Sequence, residues 1–421
     1  MKRSIHVTKP EFREEERKME LPTSENFHKL SVDSFNTEKL LTNASRQRDA
    51  RKFNEFPIID TDAHQYETEN ITEIIEFIDD EVLQHLGQAN PGFFSRGRGG
   101  YQPMGGRITR YPLRKIEETP ADGTHRDIHL VRRSMDAMGV DYMCLFPTGM
   151  LSVGLMPQLD VELALARAYT RWMVEKVLPG DSRVRGLVYL PFNSPDETYK
   201  MVQDFGDKKG VGGFLVTSVR YRPVHDNAYM KTYSLIEEMG KPITFHSGVN
   251  WNDPLVSVTN RFIAAHALSF TMYNVVHMCN WICNGLNERF PKLKIVWTES
   301  GLAWVPWLAQ RLDNDYRMRS SECPSLRKLP SEYMKDMYYT SQPMEKPNDL
   351  SFLESTFKCI NAETQLLYAS DYPHWDMDLP AVIYDLPFLD EKAKRNILGE
   401  NARKVFNIDV TDRYPDYKPM Q

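Results

Sequence analysis

From Phe56 onward the chain alternates short apolar runs with longer amphipathic segments. The apolar runs predict strands at 57–61, 140–146, 184–190, 212–217, 241–246, 293–298 and 366–370. Helical periodicity fills the gaps at 160–178, 195–208, 227–239, 261–289 and 303–317. Strands separated by helices indicate βα units and a parallel sheet. Runs such as VDYMCLF and LKIVW lack polar alternation, as strands covered on both faces should. Seven such strands favour closure over an open sheet, with an eighth expected near 337–341 (MYYTS). The predicted class is α/β, a (β/α)8 TIM-type barrel over 56–410.

Three stretches break the rhythm. Residues 1–55 are charged and poor in aliphatic side chains, and read as a polar N-terminal arm, either extended or wrapped on a neighbouring subunit. The segment from about 88 to 126 is rich in Gly, Arg and aromatic residues. Insertions of that length in compact domains serve as lids or contacts, or stay disordered. Residues 411–421 form a short tail, and no internal repeat is visible.

Composition narrows the class. The chain has 421 residues, 41% of them hydrophobic, which one barrel with insertions can absorb. A net charge of -6 speaks against a nucleic-acid surface. The basic cluster Arg96, Arg98, Arg107 and Arg110 reads as a solvated loop or as contacts for an anionic substrate. Five scattered cysteines argue for a reducing compartment, and Cys279 and Cys283 lack the second ligand pair of a structural zinc site. The first twenty residues have no apolar targeting core, and no window suits a membrane span, so the expected location is cytoplasmic.

The chemistry lies just past the strands. Asp62 and His64 follow the first strand, two residues apart and therefore on one side of an extended chain. His246 follows the fifth run and Asp371 the last. Barrel active sites sit at these C-terminal ends. Two carboxylates and two imidazoles meeting there suit a hard or borderline divalent ion. Each residue alone has a plainer reading: a packed histidine, or an aspartate capping the next helix.

The segments IIDTDAHQYE, GVDYMCLFPTGM, RVRGLVYLPFNSPDE, GVGGFLVTS, MGKPITFHSG, NGLNERFPKLKIVWTESGLAWVPWLAQRLD and LLYASDYPHWD, in this order over residues 56–406, resemble the amidohydrolase superfamily. The resemblance is to its amidohydrolase-2 branch, which includes aminocarboxymuconate-semialdehyde and hydroxybenzoate decarboxylases. It implies Asp62 and His64 as first-strand metal ligands, His246 as the fifth-strand ligand and Asp371 as a ligand that also handles a proton. Decarboxylase relatives place a His after the sixth strand, where this chain has Glu299, a base, a further ligand or a buried structural Glu. No lysine follows the fourth strand, so a lysine-bridged metal pair is not expected; a second ion bridged by Glu299 and Asp371 stays open. His374, Trp375, Glu67 and Arg107 are expected around the substrate or behind the ligands. His266 and His277 share a helix face and read as packed.

The resemblance implies a metal-dependent hydrolase or non-oxidative decarboxylase of a small organic acid or amide, with Zn, Mn or Fe as one or two ions. Asp371 and Glu299 would be its catalytic residues. Two alternatives remain: an Fe/Mn hydroxylase using oxygen, favoured by the carboxylate-rich set, and a non-catalytic subunit. The expected assembly is a homo-oligomer or a hetero-oligomer with a related subunit. No phosphate-binding glycine loop and no nucleophile elbow is present.

Overall fold

A computed structural model describes residues 36–93, 117–219, 222–248 and 253–420. Eight parallel strands, β1 (Ile59–Gln65), β2 (Tyr142–Pro147), β3 (Val184–Tyr189), β4 (Val211–Val216), β5 (Ile243–His246), β6 (Ile295–Thr298), β7 (Tyr338–Thr340) and β8 (Leu366–Leu367), lie in sequence order. The chain is a (β/α)8 barrel, and β7 is the eighth strand expected near 337–341. Every residue of β1, β2, β4, β5 and β6 is buried, which explains their unbroken apolar runs. No regular ladder joins β8 to β1. Thr61 N instead donates to Tyr368 O at 3.0 Å, and Asp371 N donates to Asp62 O at 2.7 Å, so the seam closes through the segment after β8.

The expected element boundaries shift most at β1. The strand runs on to Gln65, so Asp62 and His64 lie within it rather than after it. Its pairing with β2 slips between Asp60 and Ala63, a bulge of the kind that re-aims side chains.

Part of the expected arm folds onto the barrel. Residues Thr37–Arg51 form helix α1, started by the Asn36 side chain, which accepts from Lys39 N at 2.9 Å. It buries Leu41 and Ala44 against helix α2 (Arg126–Met138). Gly139, at φ +76°, ends α2 in the left-handed region; a Cβ there would meet Arg48 Cγ at 2.8 Å. Arg51 pairs with Asp385 at 2.6 Å, which ties α1 to the chain after β8. Sequence polarity hid this helix because two buried residues suffice to dock it. Residues 1–35, and most of the Gly/Arg-rich insertion with Arg96, Arg98, Arg107 and Arg110, lie outside the described residues.

The outer helices that matter for the site are α3 (Leu159–Trp172), between β2 and β3, and α4 (Phe262–Cys283), between β5 and β6. The latter is 22 residues long without one charged side chain. Among the described residues no helix is long and apolar enough to cross a membrane.

Candidate metal centre

Six side chains converge at the C-terminal mouth. Ligand atoms of Asp62, His64, His246 and Glu299 all lie within 4.8 Å of one another, and the same holds for His64, Glu299, Asp371 and His374. All six residues are buried.

The histidines are aimed from behind. His64 Nδ1 donates to Pro147 O at 2.8 Å, and His246 Nδ1 donates to Ser247 O at 2.8 Å. A carbonyl oxygen only accepts, so each Nδ1 carries the proton and each Nε2 turns a lone pair inward. The two Nε2 atoms are 3.2 Å apart. Around them stand Asp62 Oδ1 at 3.3 and 3.6 Å, Glu299 Oε2 at 3.4 and 2.9 Å, and Asp371 Oδ1 at 3.3 Å from His64.

This set is expensive for the protein alone. Both oxygens of Asp62, Oε2 of Glu299 and Oδ2 of Asp371 are buried with no hydrogen-bond partner. Such groups each cost about 1–3 kcal/mol or more when left unsatisfied. Their backbones are also unusual, with Glu299 at φ +45° and Asp371 at φ +56°. Glu299 N bonds Thr340 Oγ1 at 3.1 Å and Asp371 N bonds Asp62 O, contacts that hold both residues in the left-handed region. Burial works against a charge on His64, yet Asp62 and Glu299 outweigh it and raise its pKa to about 10, so a proton takes that Nε2 lone pair when no cation does. Burial likewise opposes ionisation of Glu299, and His246 and His64 overcome it and hold the carboxyl far below its usual range. The cluster draws positive charge to its middle. Its donors, imidazole nitrogen and carboxylate oxygen, are those that divalent metal ions take, and the centre is suited to hold one.

Neighbouring residues hold the frame. Asp60 accepts from Asp62 N at 3.1 Å and from Ser370 N at 3.0 Å, which clamps β1 to the chain after β8. Burial pushes its pKa up to about 7 against those bonds. Asn274, from α4, donates to Phe245 O and Thr298 O, both at 3.2 Å, and so ties the ends of β5 and β6. Phe146 lies 5.9 and 5.2 Å, centroid to centroid, from the rings of His64 and His246. None of these three was visible in the sequence. Asp60 looked like part of an apolar run, although a lone buried amide in an uncharged helix was a signal for Asn274.

The remaining candidates divide. His374 Nδ1 sits 2.6 Å from Asp371 Oδ1, in the centre itself. Glu67 does not reach the cluster: it accepts from Thr148 N at 2.8 Å and Met150 N at 2.5 Å, and shapes the turn after β2. Trp375 packs with Val256, Phe262, Ala265 and Phe270, an apolar patch beside the mouth that also touches His266. His277 is buried on α4 near Phe245, away from the carboxylates. Arg107 lies outside the described residues.

With this geometry in place, comparison with known proteins agrees. The Amidohydrolase family profile matches residues 124–408, and the chain belongs to that family. It is a metal-dependent enzyme of the amidohydrolase superfamily. Similar solved structures include 5-carboxyvanillate decarboxylase from Sphingomonas paucimobilis, at 22% identity and TM-score 0.60, covering 84% of this chain and 100% of that one. Dihydroxybenzoic acid decarboxylase from Polaromonas sp. JS666, solved with manganese and 2-nitroresorcinol, matches at 17% identity and TM-score 0.60, covering 85% and 99%. An amidohydrolase from Mycobacterium avium subsp. paratuberculosis K-10 matches at 18% and 0.63, covering 83% and 99%. At these identities the likeness concerns the fold.

Proposed function

We propose that this enzyme is a non-oxidative decarboxylase of small aromatic acids, with its cation held by Asp62, His64, His246, Glu299 and Asp371. The observation that carries the reading is the convergence of buried carboxylate oxygens without protein partners on two inward imidazole lone pairs. A divalent cation bound there supplies Lewis acidity to substrate oxygens. Phe146, Phe270 and Trp375 set flat apolar surface around the mouth, which suits an aromatic ring and excludes water. Asp371, backed by His374 and Thr148, moves the proton. It protonates the ring carbon as that carbon's bond to the carboxyl group breaks, and carbon dioxide leaves. The decarboxylases of similar fold, one of them with manganese, support this substrate class and metal.

One observation favours hydrolysis of an amide or ester as the second reading. Glu299 stands where decarboxylase relatives are expected to hold a histidine, and a carboxylate there can serve as base toward water.

The deciding experiment incubates metal-stripped and manganese-reconstituted protein with a panel of hydroxybenzoates and, in parallel, with amides and esters of the same rings. Carbon dioxide release that depends on added manganese supports decarboxylation. Turnover confined to the amides and esters replaces it with hydrolysis, and activity that survives stripping removes the metal from the reaction.

A further inference from the structure

Past the end of β7, between the strands that deliver Glu299 and Asp371, stands Gln342. It has no exposed surface, and its Oε1 has no hydrogen-bond partner among the described residues. Its Nε2 reaches Asp376 O, in the segment after β8, at 3.4 Å. That is longer than the roughly 2.9–3.0 Å of an ordinary N–H···O bond. The protein spends little of this amide on itself.

The strand sets its direction. Tyr339 points out of the barrel, where its hydroxyl donates to Met334 O in the outer helix Pro330–Met334. Thr340 points the other way, and its Oγ1 accepts from Glu299 N at 3.1 Å. Ser341 N donates to Leu367 O at 2.9 Å, so the ladder to β8 runs one residue past β7. Along an extended chain residues two apart share a side, which returns Gln342 to the side of Thr340.

An amide oxygen accepts and cannot donate. The carboxylates of the neighbouring centre, Asp62, Glu299 and Asp371, are acceptors as well. A substrate carboxylate turned toward Gln342 Oε1 would set acceptor against acceptor, whereas a hydroxyl or amino group supplies the missing hydrogen. A site that buries an acceptor in this way rejects analogues without the donor, because they leave it unpaired.

We infer that Gln342 is a specificity-determining residue, whose Oε1 accepts a hydrogen bond from a ring hydroxyl or amino group and so turns the substrate's carboxylate away from β7. The inference rests on the aromatic-acid reading and adds to it the chemical feature that the pocket selects.

The test uses the full chain loaded with manganese. Calorimetry measures binding of 2-, 3- and 4-hydroxybenzoate, each against its methoxy ether, to wild type and to Gln342→Met. In at least one pair the hydroxy acid should bind wild type about 10- to 100-fold more tightly than the ether. Gln342→Met should erase that ratio by weakening the hydroxy acid, with the ether unchanged within severalfold and the unfolding midpoint no lower than in wild type. Gln342→Asn, which draws the carbonyl back by one methylene, should erase it too and serves if the methionine variant does not fold. A ratio that survives both substitutions, or hydroxy acids and ethers bound alike by wild type, overturns the inference and leaves the aromatic-acid reading standing. Failure of every hydroxy acid and ether to bind removes that reading, and this inference with it.

Discussion

Two buried polar clusters sit at the same mouth of the barrel, and only one looks like chemistry. Past β3 and β4, Asn193 Nδ2 donates to Gly154 O and to Glu162 Oε2, both at 2.8 Å, and Tyr189 and Thr217 share a hydroxyl contact of 2.9 Å. Not one of those side chains leaves a buried polar atom unpartnered. Across the barrel, Asp62, Glu299 and Asp371 leave four such oxygens pointing at one spot. Both clusters are polar and buried, so neither property marks a site. The distinction lies in whether the protein satisfies its own groups or leaves them converging on a common point.

The largest expected effect that tests this contrast is on turnover. Asp371→Asn should lower kcat by about 10²- to 10⁴-fold in manganese-loaded protein, whereas Glu162→Gln should leave it within severalfold. Equal losses in steady-state kinetics would erase the distinction.

Metal linkage comes next. Manganese at about 100 times its Kd should stabilise the native state by about 2.7 kcal/mol, measured by denaturant unfolding. Asp62→Asn should abolish that gain and make the stripped protein more stable than wild type, because it removes one of several mutually repelling buried carboxylates. A stripped variant weaker than wild type would show that Asp62 is structural.

In the satisfied cluster the cost should fall on folding. Glu162→Ala leaves the Asn193 amide short of an acceptor and should cost about 1–3 kcal/mol, with the manganese-dependent gain intact. An unfolding midpoint unchanged from wild type would contradict it.

The smallest effect concerns His277, which is buried with neither ring nitrogen partnered among the described residues, but alone rather than facing other such groups. Burial lowers its pKa from 6.5 to about 4. The native ring is therefore neutral where the unfolded one takes up a proton. Its contribution to stability is complete above pH 6.5 and falls between there and about 4, by at most about 1.4 kcal/mol per pH unit. His277→Phe should flatten that part of the stability profile, and an unchanged slope would count against it.

The fold was legible because strands covered on both faces must be apolar throughout, and the turns between them are polar. Asp62, His64, His246, Glu299 and Asp371 were legible for the same reason: a charged residue at the end of a buried run is costly unless used. What failed to show was anything acting through a hydrogen bond to a distant segment. Asp60 reads as one more strand residue until Ser370 is beside it. Glu67 has the spacing of a site residue, yet spends both oxygens on backbone amides after β2. His374 looked like a supporting residue, and only the fold brings its Nδ1 within 2.6 Å of Asp371 Oδ1.

The clamp between Asp60 and Ser370 joins residues 310 positions apart in the chain. On the ribosome, where chains emerge from the N-terminus, Asp62 and His64 appear long before Asp371 and His374. On the ligand set proposed above, the nascent protein owns half a chelator for most of its synthesis and a complete one only when the last strand docks. On that same proposal, selection among competing ions falls to the finished barrel, where the donors from β1, β5, β6 and β8 first meet.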